Sequence, residues 1–395
     1  MTKMSSYFSG FAAKLLSAVD ATKASNQHEI GSNKFTAILG NPGAEKIRYK
    51  ARYIKFEDVG EPESLIDEVT YYDTRLNKTG RSPEYRLYYK SNSVTKNLRA
   101  GDLCIVAKAI DGTLFIIFAG VGSMHQRRLC HLFDLKLNNA ALEIDNSVSK
   151  KTLDLTRVYL LEALGIQAVE PADDLAERAV EKFKGQFPST KDFSDFARLS
   201  LENELTVHDD PDFALESWME QEERIFRAFE KRILESKIKS GFAGIDEFIS
   251  FSLSVQNRRK SRVGHAFENH IEAALKALGV KYVRGARTER NSRPDFLFPS
   301  VKSYRDLSVG SPPLRMLAAK TTCKDRWRQV LSEADRIPTK HLITLEPAIS
   351  ENQTSEMKVQ GLQLVATSSV RATYTECQKN WILTFGDFVK LVTSS

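Results

Sequence analysis

The spacing of apolar residues changes twice along the chain, and each change predicts a different kind of element. At the start, Phe8, Phe11, Leu15 and Leu16 recur at three- and four-residue intervals, which predicts an amphipathic helix over residues 1–20. From about residue 34 to 121, short β-rich runs replace that period: Lys34–Leu39, Glu84–Lys90, Asp102–Ala107 and Thr113–Ala119. Turn signals part them at Asn41-Pro42-Gly43, Lys78-Thr79-Gly80, Ala100-Gly101-Asp102 and Asp111-Gly112. Short strands punctuated this way predict a small barrel or sandwich, and Asp111-Gly112 between two apolar runs predicts a hairpin.

After Leu153 the pattern turns helical. Residues 166–192 hold Pro171, Asp173, Asp174, Pro188 and Lys191 around one short helix, and we place an interdomain hinge there. Pro211–Lys239 reads as a long helix of mixed charge with Pro211 in its first turn. Asp209 and Asp210 before it are either metal ligands or caps; capping accounts for them more simply. The remainder alternates. Helices are expected at about 261–278, 325–336 and 351–360, and strands near 280–284, 295–298, 314–322, His341–Leu345 and Leu362–Ala366. Strands alternating with helices predict an α/β layer fold with a central mixed sheet. The expected organisation is a β-rich domain over 1–165, the hinge over 166–192 and an α/β domain over 193–395.

Composition narrows the classes. The apolar fraction of 42% over 395 residues lets each half bury a core. The net charge of +6 permits a phosphate-rich partner without requiring one. Cys104, Cys130, Cys323 and Cys377 are too sparse for a secreted disulfide framework and lack zinc spacing, so they read as free thiols in a reducing compartment. His125, Cys130 and His131 lie close in sequence, but nothing pairs them as metal ligands. The opening MTKMSSYFSGFAAKLLSAVD is interrupted by Ser and Lys and is followed by no small-residue cleavage site, so it is expected to be a helix and not a signal. No run of about 18 apolar residues is present, so no membrane span is expected.

Chemistry concentrates in Pro294-Asp295-Phe-Leu-Phe-Pro299 and Leu317-Ala318-Ala319-Lys320. Phosphodiester hydrolysis with magnesium needs carboxylate oxygens for the ion and a cation near the attacking water or the phosphate. An Asp at the start of one strand and a Lys at the end of the next can meet at one sheet edge. The acidic position expected two residues before the lysine is Ala318, so a second carboxylate must come from elsewhere. Glu333, placed on the following helix with Arg326 and Gln329, is one candidate; Glu268 on the preceding helix is another. The run Lys320-Thr-Thr-Cys-Lys324-Asp325-Arg326-Trp327-Arg328 crowds cations, an acid and a Trp into a strand-to-helix junction. Arg and Lys donate to guanine and Asp accepts from cytosine, so Lys324, Asp325 and Arg326 are suited to read G·C pairs. The same run also reads as a solvated helix start capped by Asp325 and anchored by Trp327, and the two readings are compatible.

The Asp295…Lys320 arrangement resembles the PD-(D/E)XK nuclease superfamily. Residues 258–366 resemble the catalytic domain of the EcoRII-type restriction endonucleases. The runs that carry the resemblance are PDFLFPS (Pro294–Ser300), Leu314–Ala318, KTTCKDRW (Lys320–Trp327), Arg328–Leu331 and Glu333-Ala334-Asp335. It implies that Asp295 and Glu333 hold magnesium, that Lys320 acts on the phosphate, and that Lys324, Asp325 and Arg326 read bases. Glu268 matches an acidic position whose role is metal binding or positioning. Relatives extrude a base, which makes Trp218 a stacking candidate; burial in helix packing competes with that reading.

The N-terminal half resembles the effector-binding pseudobarrel of the same enzymes, also seen in plant transcription factors of the B-three class. The segments that suggest it are Lys23–Gly31, with His28, and Tyr72–Lys90, with Arg75, Arg81, Glu84 and Arg86. The implied protein is a homodimeric type II site-specific deoxyribonuclease in a prokaryotic cytoplasm. It would cut double-stranded DNA at a CC…GG-framed site, under control of its N-terminal domain and alongside a cognate DNA methyltransferase. A DNA-binding regulator with a decayed nuclease fold and a structure-specific repair nuclease are the alternatives; intact Asp295, Lys320 and Glu333 oppose the first.

Overall fold

The computed structural model describes the chain apart from residues 1–3, 22–28, 58–61, 77, 139–140, 145–156, 158–159, 162–163, 167–171, 203–205, 307–312, 324–325 and 395. It divides into two compact units, Met1–Ala168 and Val169–Ser395.

The first unit contains β1 (Phe8–Leu15), α1 (Ala18–Ala21), β2 (Glu29–Gly31), α2 (Thr36–Leu39), β3 (Ile47–Phe56), β4 (Glu63–Asp73) and β5 (Tyr85–Tyr89). Then come β6 (Leu103–Ala109), β7 (Leu114–Ala119), α3 (Met124–Leu132), β8 (Leu135–Asn138) and β9 (Ala141–Ile144). Seven strands form one sheet in the order β1-β6-β7-β3-β4-β5-β2, antiparallel throughout except for β3 beside β7. All seven strands point residues into a single core, among them Ala12, Ile30, Tyr53, Tyr71, Leu87, Val106 and Ile116. The two edge strands approach closely enough for the Lys14 ammonium on β1 to donate to the Gly31 carbonyl on β2 at 2.9 Å. A sheet curled this far around one core is the expected pseudobarrel. The Asp111-Gly112 hairpin is present, with Gly112 at φ 86 and its amide donating to Ala109.

Two expectations for this unit fail. Residues 8–15 form a strand and not a helix. The ladder to β6 runs from Phe8 to Leu15 and outweighs the local three-and-four spacing. Gly10 lies at a register shift there, and a Cβ on it would come within 2.7 Å of the Ile38 side chain. Residues 34–39, expected as a strand, form a 3-10 turn running into α2; the Ser32 hydroxyl accepts from the Lys34 amide and starts it. The two longest strands, β3 and β4, lie within the expected β-rich stretch but outside the runs singled out there. Their outward charges, such as Lys50 opposite Glu68, hide an inward alternation of Ala51, Tyr53, Val69 and Tyr71.

The second unit contains α4 (Asp173–Lys182), α5 (Thr190–Leu199), α6 (Pro211–Ser240), α7 (Ile245–Ala277), β10 (Val283–Arg284), β11 (Phe296–Phe298) and α8 (Val301–Arg305). It continues with β12 (Arg315–Lys320), α9 (Trp327–Val330), β13 (Lys340–Thr344), α10 (Glu351–Val359), β14 (Leu362–Ala366), α11 (Ser368–Ala372), α12 (Glu376–Lys379) and α13 (Phe385–Thr393). Its five-stranded sheet runs β10-β11-β12-β13-β14, antiparallel over the first three strands and parallel over the last three. This is the expected mixed sheet flanked by helices. Asp210 caps α6, its carboxylate accepting from the Phe213 amide, as the capping reading required.

Most of the segment expected as a hinge is core instead. Ala176, Ala179, Phe183 and Phe187 pack with Phe193, Phe196, Phe226 and Phe229 where α4, α5 and α6 meet. Burial of so many rings fixes the segment in the second unit, so the packing divides at 168/169. The helix expected at 261–278 is much longer, beginning at Ile245. The helix expected at 325–336 is only one turn, Trp327–Val330. Among the described residues, no helix is long and apolar enough to cross a membrane. The four cysteines are free, three of them buried.

Candidate active site

Strand β12 is buried from Met316 to Ala319, and Lys320 is the first residue whose side chain emerges at its end. Antiparallel pairing of Phe296 with Leu317 brings Asp295, just before β11, alongside that end. One carboxylate oxygen, Oδ2 of Asp295, accepts from the Ala319 amide at 2.7 Å and from the Lys320 ammonium at 2.8 Å. The pair is only partly exposed, 17% for Asp295 and 20% for Lys320, so the ion pair is screened less than one in open water. The sheet therefore presents an anchored carboxylate and a cation together at one edge.

Glu333 completes the acidic set. Burial pushes its carboxyl up to about 7, and the neighbouring Asp295 charge adds to the rise; Lys320 and Lys340 oppose it. Its Oε2 is buried without a hydrogen-bond partner. An orphaned carboxylate oxygen beside a second carboxylate fits a hard divalent cation, whose ligands are oxygens. Among the described residues, no three His, Cys, Asp or Glu side chains cluster as a metal site, so two carboxylates would have to be supplemented by water or phosphate oxygens. Glu333 does not share a helix face with Arg326 and Gln329, because α9 ends at Val330 and Ala334 sits at φ 47. It is carried by the loop after the helix, below the fully buried Trp327 and Val330.

Glu268, the other acidic candidate, is engaged in an ion-pair network. Its carboxylate takes the Arg284 guanidinium at 2.9 Å, and the same guanidinium holds Glu272 at 2.6 Å and the Asn269 side-chain carbonyl at 2.9 Å. That network ties α7 to β10 and makes Glu268 a structural partner of Arg284. Of the base-reading run, Arg326 is exposed and donates to the Thr322 hydroxyl at 3.0 Å. Lys324 and Asp325 lie outside the described residues. Trp218 is only 8% exposed on α6, its ring 6.0 Å from that of His270 and under the Arg198 guanidinium. Packed there it fits the reading of a Trp buried in helix packing.

Sequence reasoning missed Glu346, two residues beyond the end of β13. It is buried, and its carboxylate accepts from the Cys323 amide, fixing the turn between Lys320 and the base-reading run. The available signal was an acid just past a parallel strand, where the loops of an α/β sheet carry its sites.

In the first unit, Arg86 is gripped by Glu84 at 2.7 Å and by Glu29, and Glu84 also takes Arg75 at 2.6 Å. The hydrogen bond from Arg86 holds the Glu84 carboxyl below its usual range. Glu29, Glu84 and Arg86, with Lys14 and Asp20, line a cleft of about 350 Å³. Arg81 is exposed; Lys23 and His28 lie outside the described residues.

A mixed sheet with Asp at the head of an antiparallel strand, Lys at the end of the next, and helices on its flanks defines a restriction-endonuclease-like fold in the second unit. Residues 226–389 match the family model described as EcoRII C terminal. The chain is 41% identical over 210 residues to the type II restriction enzyme EcoRII of Escherichia coli, covering 53% of this chain and 51% of that enzyme. It is 27% identical over 149 residues to the type II restriction enzyme SsoII of Shigella sonnei, covering 35% of this chain and 48% of that one. The chain thus spans about half the length of the curated relatives it matches. Two solved structures give partial matches. Metal-depleted Ecl18kI in complex with uncleaved, modified DNA gives a TM-score of 0.46 at 19% identity, over 56% of this chain and 83% of that one. A restriction endonuclease PspGI–substrate DNA complex gives 0.40 at 16%, over 58% and 93%.

Proposed function

We propose that this chain is a type II restriction endonuclease that makes magnesium-dependent double-strand breaks in DNA at a site framed by CC and GG. The observation that carries the reading is the meeting of Asp295 and Lys320 at 2.8 Å beside Glu333, whose buried Oε2 has no hydrogen-bond partner. Kinship to enzymes named type II restriction enzymes supports it.

In this reading Asp295 and Glu333 would hold the ion, which competes with the raised Glu333 proton, so more magnesium should be needed as pH falls. Magnesium, when bound, supplies Lewis acidity at the scissile phosphate and acidifies a water. Lys320 offsets the negative charge that grows on the phosphate and helps orient the attacking water; its tether to Asp295 limits the freedom lost in reaching that position. Arg326, with Lys324 and Asp325, reads the G·C frame from the loop after β12. Two copies act as a homodimer on a twofold-related site. The first unit binds a second copy of the site through Arg81, Glu84 and Arg86, with Lys23 and His28, and controls cleavage. A methyltransferase of the same system protects the host, and both proteins work in a prokaryotic cytoplasm.

Mapping the ends of cleaved DNA of known sequence tests the reading. Discrete ends within one CC…GG-framed sequence are expected. Ends scattered without regard to sequence would overturn it in favour of a structure-specific nuclease.

A further inference from the structure

The two candidate ion ligands are carried by irregular backbone, and both stretches are bent in the same unfavourable way. Ala334, directly after Glu333, is buried and sits at φ 47. In the run that leads into Asp295, Arg290 and Asn291 sit at φ 54 and φ 59. Residues with a Cβ avoid this left-handed region, alanine and arginine more than asparagine, and stay in it only where their surroundings hold them. The side chains differ in how they are fixed. Asp295 is tied to the sheet, its carbonyl accepting from the Gly285 amide at 3.0 Å and its carboxylate from the Ala319 amide at 2.7 Å. Glu333 Oε2 has no hydrogen-bond partner, so the loop itself must place it.

That loop is held through Tyr304, which lies on α8 and is only 2% exposed. The Tyr304 hydroxyl donates to the Glu289 carboxylate and accepts from the Arg336 amide at 3.4 Å. Arg336 closes the ring. Its Nε pairs with Glu289 at 3.3 Å, and its Nη1 donates to the Tyr304 and Arg305 carbonyls at 3.1 and 3.0 Å, filling acceptors that the end of α8 leaves open. Arg290 also reaches Asp335 at 3.0 Å, but its side chain is 75% exposed, and so wet a pair contributes little. Glu289 precedes Asp295 by six residues and Tyr304 follows it by nine, while Arg336 follows Glu333 by three. Both flanks of the Asp295 segment are therefore tied to the loop that carries Glu333.

We propose that Tyr304, with Glu289 and Arg336, is a positioning device for the metal site: it holds the Glu333 loop to the Asp295 segment so that the two carboxylates converge on one divalent ion. The inference rests on the magnesium-nuclease reading above. None of the three residues is asked to touch the ion. Loosening the clamp lets the carboxylates separate, which lowers affinity for the ion more than the rate once the ion is bound. Loss of groups that orient metal ligands costs about 10–100-fold in metal affinity.

Tyr304→Phe keeps the ring and removes both hydroxyl contacts. Plasmid cleavage and thermal melting of the full chain are each followed over a magnesium series. Glu289→Gln and Arg336→Ala are measured beside it, with Phe229→Leu in the core of α4–α6 as a control for lost stability alone. Tyr304→Phe and Arg336→Ala are expected to need on the order of tenfold more magnesium for half-maximal cleavage and for half of the rise in Tm. Their rate at saturating magnesium is expected to stay within about threefold of the wild type. Glu289→Gln, which still offers the hydroxyl an acceptor, is expected to fall between. Phe229→Leu is expected to lower the Tm with the magnesium requirement unchanged. Clamp variants that lose stability yet keep the wild-type requirement overturn the proposal, and so does a Phe229→Leu that shifts the requirement as far as they do. Should Arg336→Ala fail to fold, Tyr304→Phe and Glu289→Gln decide. The nuclease reading fails separately: a magnesium-dependent Tm shifted as expected in a chain that never cuts DNA keeps the clamp and removes the enzyme. Specific cutting whose magnesium requirement is indifferent to the clamp does the reverse. A wild type that neither melts higher in magnesium nor cuts removes both.

Discussion

Glu333→Gln separates the energetic character of the site from its proposed chemistry. The ordinary glutamate carboxyl loses its proton near 4.5, whereas Glu333 in the folded chain does so only at about 7. Between those values the folded chain keeps a proton that the unfolded chain has lost. Stability from this group is therefore complete below about 4.5, declines as pH rises, and is at its minimum above about 7. A displacement of that size corresponds to at most about 3 kcal/mol, and screening by solvent at a partly open side chain reduces it to about 1–2 kcal/mol. Glutamine keeps the shape and carries no charge, so it avoids this loss. In thermal melts without divalent ions at about pH 8, Glu333→Gln should melt above the wild type by about 3–6 °C for a unit of this size. At about pH 5 the two should nearly coincide. Saturating magnesium at the higher pH should raise the Tm of the wild type and leave the variant unmoved, because binding to the folded state stabilises only a protein that has the ligand. A variant that melts below the wild type at high pH, with both responding equally to magnesium, would refute both the raised pKa and the ligand role.

Other expectations follow from particular contacts. Glu268→Gln should weaken the Arg284 anchor and cost about 1–2 kcal/mol in chemical denaturation, yet retain cleavage within about tenfold; complete loss of cleavage in a folded variant would return Glu268 to the active site. Trp218→Ala should cost about 3–5 kcal/mol through the cavity left under Arg198 and His270, with the cleavage sequence unchanged when the ends are mapped. Arg81→Ala should reduce the salt dependence of full-length DNA binding by about one phosphate contact and diminish any response of cleavage to a second-site oligonucleotide added in trans.

Where local spacing and tertiary packing agree, the elements were legible from residues alone. The strand at 362–366 and the helix beginning at 211 match the structure closely, because burial on both faces or a Pro and Asp start leaves little choice. Asp295 and Lys320 could be paired because a short antiparallel connection brings the head of one strand to the end of the next. What stayed hidden depends on partners distant in sequence. Residues 8–15 have the spacing of a helix and become a strand because β6 offers them a ladder. Aromatic residues of 172–192 look like a linker until the rings of α5 and α6 gather around them. Glu333 was placed on a helix face that does not exist; the loop after α9 carries it, with the Asp295 charge adding to the rise of its carboxyl. Glu346 showed only its place just past a parallel strand, since its partner amide lies 23 residues away.

The central claim is that Asp295, Lys320 and Glu333 act as one centre, and plasmid cleavage in magnesium by the wild type beside Asp295→Asn, Lys320→Ala and Glu333→Gln tests it most directly. The account predicts linear product from the wild type and a loss of about 1000-fold or more in each variant, with DNA binding retained. Any one of the three cutting at the wild-type rate would contradict it.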